Sequence, residues 1–419
     1  MPRINGINMI DVKRNNRSSI LNLIYQKDRL SRKEIAGILG LTPAAITLIT
    51  SDLLEEGLIS EDYPEQTSNH KGRKEVYLSL NTSKYAAIGV YVSPHRLHIQ
   101  CADMNSTVIF RETTHTADCH NQSAEILDKL CSIIEENLKN YDVFRKYRLL
   151  GIGISINGIV DPVTGVSINS YHTWEERVPV RDYIESKLGY PVIVTNNICA
   201  AANGESYLSK TKHPSNSLFI KYGPGIGGAR NHSRNSSSIY DYVPVELGHM
   251  IMDINGEPCI CGNRGCLETI ISYAAIEKTI SNLMSPQNTP LLYELTQGNP
   301  ENLTIQYVMQ SYSAQERPVV SVVERVVTYL SLAIQNTLSL FDPYRLILYG
   351  ELFEVPKFKQ ALIDALDNFS VAGRVRFSHF NLRLETFGPL TTIINSFFEN
   401  GGVPLPLHTD SRPDGEDLT

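Results

Sequence analysis

The segment from Glu246 to Glu268 constrains this chain most, because it carries four borderline-soft metal ligands within eighteen residues. These ligands are His249, Cys259, Cys261 and Cys266. Gly256, Gly262 and Gly265 let the backbone turn tightly enough to direct four side chains at one ion. Three thiols and an imidazole at this spacing predict a closed structural zinc site. The alternative is that the cysteines are small buried apolar residues and His249 is a hydrogen-bonded core histidine.

Two carboxylates, Glu246 and Glu268, flank the four ligands. A metal ion that clamps the segment would also hold these carboxylates near each other. Carboxylate oxygens accept hydrogen bonds from sugar hydroxyl groups. We therefore expect a polar binding surface for a sugar beside the metal.

The same segment resembles the signature of the ROK family (repressors, open reading frames and sugar kinases). That signature is Glu-x-Gly-His followed by Cys-x-Cys-Gly-x-x-Gly-Cys-Leu-Glu, and every position matches. Weaker motifs extend the resemblance from about residue 15 to about residue 400. It implies a two-lobed α/β actin-like ATPase (ribonuclease H-like) sugar-kinase fold, and it leaves open whether the chain is a kinase or a transcriptional regulator.

Composition sets broad limits on the class of protein. With 419 residues, 42% of them hydrophobic and 20% charged, the chain predicts a globular protein of two or three domains. We expect a cytoplasmic location and no membrane partner, because no run of eighteen apolar residues and no apolar signal core occurs. Cys101, Cys119, Cys131 and Cys199 lie apart from the cluster, and we expect them to be reduced core residues.

Residues 1–82 predict a winged helix-turn-helix DNA-binding domain, although the net charge of the whole chain is −7. Residues 1–50 carry eight Lys/Arg against three Asp/Glu, and residues 17–59 predict three short helices. Ser31 and Glu34 form a capping box, and Thr42 caps a third helix with Pro43 at its first position. Small residues remain outward at the start of that helix, as a major-groove reader requires. A helical protein-docking module is the alternative.

The residues that we expect to contact DNA include basic side chains and the start of the third helix. From the helices these are Arg32, Lys33, Thr42, Ala44, Ala45 and Thr47, and Arg14, Arg17 and Arg29 would also lie near phosphates. Lys71, Gly72, Arg73 and Lys74 form a basic loop before an alternating strand, which predicts a wing with an arginine for a minor groove. A solvated run of charges is the competing interpretation of that loop.

The nucleotide side of the family pattern is altered in this chain. ROK kinases carry Asp-x-Gly-Gly-Thr on the first hairpin, where this chain has Tyr91, Val92, Ser93, Pro94 and His95. Proline has no N–H to donate, and the glycines and the carboxylate are missing, so we do not expect a phosphate cradle. The second phosphate loop, Gly-Thr-Gly-Ile-Gly in the family, has Pro224 in place of threonine.

The catalytic base of the family's kinases is also replaced. Their Asn-Asp pair corresponds to Asn196 and Asn197, and losing a positioned base costs roughly 10²–10⁴ in rate. An amide still forms hydrogen bonds with a hydroxyl group. The resemblance therefore implies no catalytic residue and a sugar site made by Gly158, Asn196, Asn197, Glu246, His249 and Glu268.

We therefore predict a sugar-responsive transcriptional repressor of carbohydrate-metabolism genes. Residues 83–400 would be a non-catalytic ROK domain that binds a sugar or sugar phosphate and forms a homodimer or homotetramer, and residues 401–419 a disordered tail. The other partner would be a double-stranded DNA operator. Two rival hypotheses remain, a ROK sugar kinase with an atypical ATP site and a repressor controlled by a protein partner.

Overall fold

The computed structural model describes residues 8–63, 76–116, 119, 122–170, 173–174, 176–210, 216–231, 242–369, 371–380 and 383–408. The predicted wing residues Lys71, Gly72, Arg73 and Lys74 lie outside this part of the chain, and so does the tail beyond residue 408.

The N-terminal head contains three helices and three short strands. They are α1 (Met9–Lys27), β1 (Leu30–Ser31), α2 (Arg32–Leu39), α3 (Pro43–Glu55), β2 (Ile59–Asp62) and β3 (Tyr77–Leu80). The strands pair antiparallel in the order β1-β3-β2. This is the winged helix-turn-helix arrangement that the sequence predicts.

Local sequence signals set the bounds of the head helices. The Ser31–Glu34 capping box starts α2, Gly40 ends it in the left-handed conformation, and Thr42 Oγ1 accepts from Ala45 N at 3.3 Å to cap α3. Helix α1 begins at Met9, well before residue 17, where the sequence predicts the first of the three helices. Its first turns are mostly exposed, so they carry no buried stripe that the sequence pattern could reveal.

The rest of the chain alternates strands with helices in two sets. The first set is β4 (Tyr85–Val92), β5 (Arg96–Asp103), β6 (Val108–His115), α4 (Ser123–Asn140), α5 (Val143–Lys146), β7 (Arg148–Ile156), β8 (Ile159–Asp161), β9 (Val166–Asn169), α6 (Val180–Leu188), β10 (Val192–Asn196) and α7 (Asn197–Leu208). The second set begins with β11 (Ser217–Tyr222), β12 (Ile226–Asn231), β13 (Tyr242–Val245), α8 (Leu267–Ile271), α9 (Tyr273–Ser281), α10 (Pro290–Leu295) and α11 (Ile305–Ser313). It ends with α12 (Arg317–Phe341), β14 (Arg345–Tyr349), α13 (Pro356–Asp367) and β15 (Val375–Phe377). The last helix, α14 (Leu384–Glu399), belongs with the first set.

Two compact units organise these elements. Unit 1 contains the described residues of 8–210 and 384–408, and unit 2 contains those of 216–383. Unit 1 has a five-stranded sheet in the order β10-β7-β4-β5-β6, and unit 2 has one in the order β13-β12-β11-β14-β15. Both sheets mix parallel and antiparallel pairs, in agreement with the predicted pair of α/β lobes.

Helix α14 lies directly on the sheet of unit 1. A Cβ atom added to Gly153 of β7 would lie 1.8 Å from the carbonyl oxygen of Pro389, and one on Gly89 of β4 would lie 2.2 Å from that of Thr386. Only glycine leaves room for the helix backbone to approach this closely. These glycines therefore have a packing role in unit 1.

The head shares its hydrophobic core with the rest of unit 1. Leu21 and Ile24 of α1 belong to the same buried cluster as Tyr85 of β4 and Phe397 of α14. The predicted boundary between residues 82 and 83 therefore separates two parts of the sequence, but it does not correspond to a gap in packing.

Two sequence expectations at this junction are wrong. The Arg17 side chain is buried, where it pairs with Glu56 and donates from Nε to Gly401 O at 2.7 Å, so it does not face a phosphate. Residues 401–408 of the predicted disordered tail make defined contacts, including a 2.8 Å bond from His408 N to Glu185 Oε2. Gly401 and Gly402 have positive φ angles, which turn the chain after α14 back onto the head.

Helix α12 forms much of the core of unit 2. Val323, Leu330 and Ile334 are fully buried along one face. Within the described chain it is the single helix with the length and apolar character to cross a membrane, and α2 and α3 pass that test only together, as a bent pair. Burial in the core accounts for the apolar face of α12.

Candidate metal centre and binding residues

Four side chains of unit 2 converge on one point. The ligand atoms of His249, Cys259, Cys261 and Cys266 all lie within 4.8 Å of one another. His249 Nδ1 is 3.5 Å from Cys259 Sγ, and Cys261 Sγ is 3.6 Å from Cys266 Sγ. Around a tetrahedral ion, metal–sulfur bonds of about 2.3 Å place two sulfur atoms about 3.8 Å apart. With a metal–nitrogen bond of about 2.0 Å, a sulfur and a nitrogen lie about 3.5 Å apart. These two separations are close to those values, so the cluster could hold a metal ion.

Tight turns place these ligands. Cys259 N donates to Asn263 O at 2.8 Å, and Gly262 N donates to Cys259 O at 3.0 Å. Gly265 has φ +65°, and a Cβ atom there would lie 1.5 Å from Asp253 O. Glycine is therefore required at this position, as the sequence analysis proposed.

The thiols have shifted acidities. Burial, followed by the hydrogen bonds with Cys259 and Cys261, raises the pKa of Cys266 to about 12. Burial also acts to raise the pKa of Cys261, but hydrogen bonds from the Asn263 backbone and the neighbouring thiols lower it overall. Neighbouring thiolates repel one another, so a cation is needed to stabilise several of them together.

Within the described residues, this is the single group of three or more His, Cys, Asp or Glu side chains arranged to hold a metal ion. The four scattered cysteines, Cys101, Cys119, Cys131 and Cys199, are buried thiols that form no disulfide within the described chain, as predicted. Trp174 is a core residue, with Nε1 donating to Ser167 Oγ at 3.0 Å.

Glu268 lies beside the glycine-rich turn of unit 2. Its Oε2 accepts from Ile226 N at 3.3 Å. Cβ atoms added to Gly225 and Gly248 would lie 3.0 and 3.1 Å from the same oxygen. The missing side chains thus let the carboxylate sit against the turn, two residues after the last candidate metal ligand, Cys266.

The other two candidates of unit 2 differ in exposure. Glu246 is exposed and precedes a short 3₁₀ turn at Leu247–His249, where its carbonyl accepts from His249 N at 3.1 Å. His249 is half-buried, and its Nδ1 faces the cysteine cluster.

In unit 1 the structure brings Gly158 and Asn196 together. Asn196 caps α7, because its Oδ1 accepts from Ile198 N at 2.8 Å and from Cys199 N at 3.3 Å. Its Nδ2 donates to Gly158 O at 2.8 Å. Asn197, the first residue of α7, is half-buried. The cap thus commits most of the Asn196 amide to the backbone and ties the Gly158 turn to the start of the helix.

The hairpin between β4 and β5 closes on itself. The backbone N and the Oγ of Ser93 both donate to Arg96 O, at 3.0 and 2.8 Å. The Tyr91 hydroxyl donates to Asn157 Oδ1 at 3.1 Å. Both donors of Ser93 therefore form hydrogen bonds within the hairpin, and Pro94 has no backbone N–H to donate.

The turn between β11 and β12 is similar. Gly223 N donates to Gly225 O at 2.9 Å, Pro224 has no N–H, and Ile226 N donates to Glu268. Of the four backbone positions 223–226, only Gly225 keeps an amide outside these bonds.

The head presents some of the predicted DNA-contact residues and engages others. Lys33, Thr42, Ala44 and Thr47 are exposed, and Ala45 is half-buried. Arg32 donates from Nε to Thr50 Oγ1 at 3.0 Å and from Nη2 to Glu61 Oε1 at 2.8 Å, and this contact lowers the pKa of Glu61. Arg32 thus holds α2, α3 and β2 together, and its contact with a phosphate stays a prediction.

Comparison with known protein families shows which family the chain belongs to. A profile of the ROK family matches residues 88–385, which is more than half of the sequence. The chain belongs to the ROK family. A second profile, described as winged helix-turn-helix DNA-binding, matches residues 14–60. The resemblance that the sequence analysis drew from the metal-ligand segment is confirmed.

Several relatives of the ROK domain are transcriptional regulators. The DNA-binding transcriptional dual regulator NagC of Escherichia coli (strain K12) is 29% identical over 362 residues, which is 85% of this chain and 85% of that protein. The putative xylose repressor of Caldicellulosiruptor sp. (strain Rt8B.4) is 27% identical over 332 residues, 79% of this chain and 82% of that one.

Solved structures show the fold. A ROK family transcriptional regulator described as a homologue of the Escherichia coli MLC protein superposes with TM-score 0.74 at 22% identity, covering 93% of this chain and 98% of that one. A ROK family glucokinase from Streptomyces griseus, in complex with glucose and AMPPNP, superposes with TM-score 0.59 at 19% identity, covering 73% and 98%. ROK kinases and regulators thus share the body, and the regulator match extends over the head.

Proposed function

We propose that this protein is a sugar-responsive, DNA-binding transcriptional repressor of carbohydrate-metabolism genes, located in the cytoplasm. The observation that carries the proposal is the joining of a winged helix-turn-helix head and a ROK body in one chain. The regulator relatives, whose similarity spans about four fifths of the chain, support it.

We further propose that the ROK body is not an enzyme. Transfer of a phosphoryl group requires a cradle of backbone donors and a base for the sugar hydroxyl. The backbone amides of Ser93 and Gly223 donate hydrogen bonds within their own turns, and Pro94 and Pro224 have no amide N–H. Asn197 stands at the position of the base, and an amide does not accept a proton at neutral pH.

The sugar contacts proposed are Gly158, Asn196, Asn197, Glu246, His249 and Glu268. Their chemistry suits a polyol, because carboxylates accept and amides both donate and accept. Asn196 acts chiefly by positioning, since its oxygen is committed to the cap of α7 and its nitrogen to Gly158. Glu268 keeps one carboxylate oxygen beyond the bond from Ile226 N, and that oxygen would accept from a hydroxyl group.

The metal proposed at His249, Cys259, Cys261 and Cys266 is zinc in a structural role. Thiolate and imidazole ligands in a tetrahedral set select zinc, and four protein ligands leave no open position for a reactive water. The metal would fix the segment that carries Glu246 and Glu268. His249 is thus proposed both as a metal ligand, through the Nδ1 that faces the cysteines, and as a sugar contact.

Regulation would follow from a difference in sugar affinity between two conformations of the dimer or tetramer. Two heads must lie about 34 Å apart to occupy successive major grooves, so a modest rotation releases one of them. A coupling free energy of roughly 1–3 kcal/mol changes DNA affinity by about 5- to 150-fold. The packing of the head into unit 1 supports transmission, because a shift of unit 1 carries the head with it.

The test is fluorescence anisotropy of the purified protein on a duplex from its own upstream region, at fixed salt, with a panel of sugars and sugar phosphates. Salt is held constant because phosphate contacts make affinity steeply salt-dependent. We expect tighter binding to this duplex than to a shuffled one and a shift with one sugar. Specific DNA binding that no sugar changes, together with a melting temperature unmoved by millimolar sugars, would favour control by a protein partner. ATP-dependent phosphorylation of a hexose would favour the kinase.

A further inference from the structure

The exposed side chains of α3 form one continuous stripe. Ala44, Thr47, Leu48 and Ser51 are all exposed, and their spacing of three, four and seven residues places them on one face of the helix. The opposite stripe, Ile46, Ile49, Thr50 and Leu53, is buried in the head. The exposed stripe is therefore the face that α3 offers to a partner. Ser51 belongs to it, although the sequence analysis did not select that residue.

The exposed stripe of α3 is mostly apolar, whereas the exposed face of a DNA-recognition helix ordinarily carries polar side chains that bind base edges. Leu48 is 66% exposed in the absence of any partner. Residues 43–55 include no Arg, Lys, Asn or Gln. Arg and Lys are the side chains that read guanine edges, and Asn and Gln are those that read adenine edges through paired hydrogen bonds. Helix α3 can make neither contact.

The hydroxyl group of Thr47 is also unsuited to donate to a base. Its Oγ1 donates to Pro43 O at 2.8 Å, within the first turn of the same helix. The proton is thus committed to the backbone, and the methyl group is the part of Thr47 left to make an apolar contact. Ala44 and Leu48 add a methyl group and an isobutyl group on either side of it. Ser51, one turn further along, adds a hydroxyl group, and the exposed carboxylate of Glu55 ends the same face.

We infer that α3 reads its operator through the 5-methyl groups of thymine, with Ala44, Thr47 and Leu48 as the specificity-determining residues; this inference rests on the proposed function. Thymine is the one base that presents a methyl group in the major groove, and apolar side chains recognise it. Burying Leu48 against such methyl groups would remove an exposed leucine from water, which is favourable. The half-site facing α3 is accordingly thymine-rich, and Lys33 contributes a phosphate contact without base preference.

The experiment removes only the methyl groups. Fluorescence anisotropy at fixed salt compares a duplex from the protein's own upstream region with the same duplex in which deoxyuridine replaces every thymidine. Uracil pairs like thymine but lacks the methyl group. We expect affinity to fall by roughly four-fold for each methyl group contacted, because burial of one methyl group contributes about that factor.

Protein variants assign the effect to the stripe. Leu48→Ala should weaken binding to the thymine duplex by roughly ten-fold and to the uracil duplex by less than about two-fold, because the two changes remove one shared contact. Ile38→Ala is the matched control, since Ile38 is an exposed apolar residue on α2 at 55% exposure. This control should leave the ratio between the two duplexes unchanged. Lys33→Ala should weaken both duplexes by the same factor.

The outcomes separate this inference from the function on which it rests. Sequence-specific binding that is equally strong on the uracil duplex, or an equal loss for Leu48→Ala on both duplexes, would overturn methyl reading and leave the repressor proposal standing. If the native duplex binds no better than a shuffled one, the proposed function fails and the inference fails with it. Leu48 is exposed, so circular dichroism should show Leu48→Ala to be folded.

Discussion

The two glycine-rich parts of unit 2 behave differently. In the turn at residues 223–226, the amide of Gly223 donates to Gly225 O, and the amide of Ile226 donates to the Glu268 carboxylate. In the segment Glu246–Glu268, glycine turns satisfy the backbone and leave four side-chain ligands directed at one point. Glycine content is therefore not evidence of a ligand site by itself. What matters is which donors and acceptors the turns leave for something outside the chain.

The largest effect should come from breaking the metal-ligand segment. Cys261→Ser removes one thiolate, and because structural zinc contributes folding free energy directly, we expect zinc loss and a fall of roughly 10 °C in melting temperature. Differential scanning fluorimetry with metal analysis measures both. Cys131→Ser, at a buried cysteine outside the cluster, should keep its zinc. A Cys261→Ser protein that retains a full equivalent of zinc would refute the assigned ligand set.

A second prediction separates glycines that are required from glycines that are only tolerated. Gly158 has φ +91°, and a Cβ atom there would lie 2.3 Å from Asn169 O, whereas one on Gly223 meets nothing within 4 Å. Gly158→Ala should lower the free energy of unfolding by roughly 2 kcal/mol, and Gly223→Ala by less than about 0.5 kcal/mol. Urea denaturation of both variants measures this. Equal decreases in the free energy of unfolding would show that glycine is no more required at residue 158 than at residue 223.

A third prediction concerns sugar binding. Glu268→Gln keeps an oxygen that accepts from Ile226 N but removes the charge, so the fold should persist while sugar affinity falls by about ten-fold. Isothermal titration calorimetry with the sugar identified by anisotropy measures the change. Glu257→Gln, an exposed carboxylate in the same segment, is the control and should have no effect. Unchanged affinity in Glu268→Gln would take Glu268 out of the sugar site.

The smallest expected effect tests the nucleotide side. Asn197→Asp restores a carboxylate at the position of the family's base, yet we expect no ATP-dependent phosphorylation of hexoses above background. The reason is that the amides of Ser93 and Gly223 still donate within their own turns and Pro224 still has no N–H, so these backbone donors do not face a phosphate. A coupled assay for ADP measures turnover. Turnover in the variant would mean that the two turns can still hold a nucleotide.

Much of the fold was predictable because its signals are local. The Ser31–Glu34 capping box and the Thr42–Pro43 start of α3 each involve neighbouring residues, and both are present. The convergence of His249, Cys259, Cys261 and Cys266 was predictable for the same reason, since the four residues lie within eighteen positions. The start of α1 was missed because its exposed first turns have no apolar partner.

The sequence by itself determined the family, the head, the grouping of one His with three Cys and the loss of donors at Pro94 and Pro224, because each follows from residue type and short spacing. Only the tertiary structure decided what distant partners do. Arg17 is buried against Gly401, 384 residues away, and the Asn196 amide is committed to Gly158. A polar side chain must satisfy its hydrogen bonds with whatever the fold places beside it, and spacing along the chain does not reveal that neighbour.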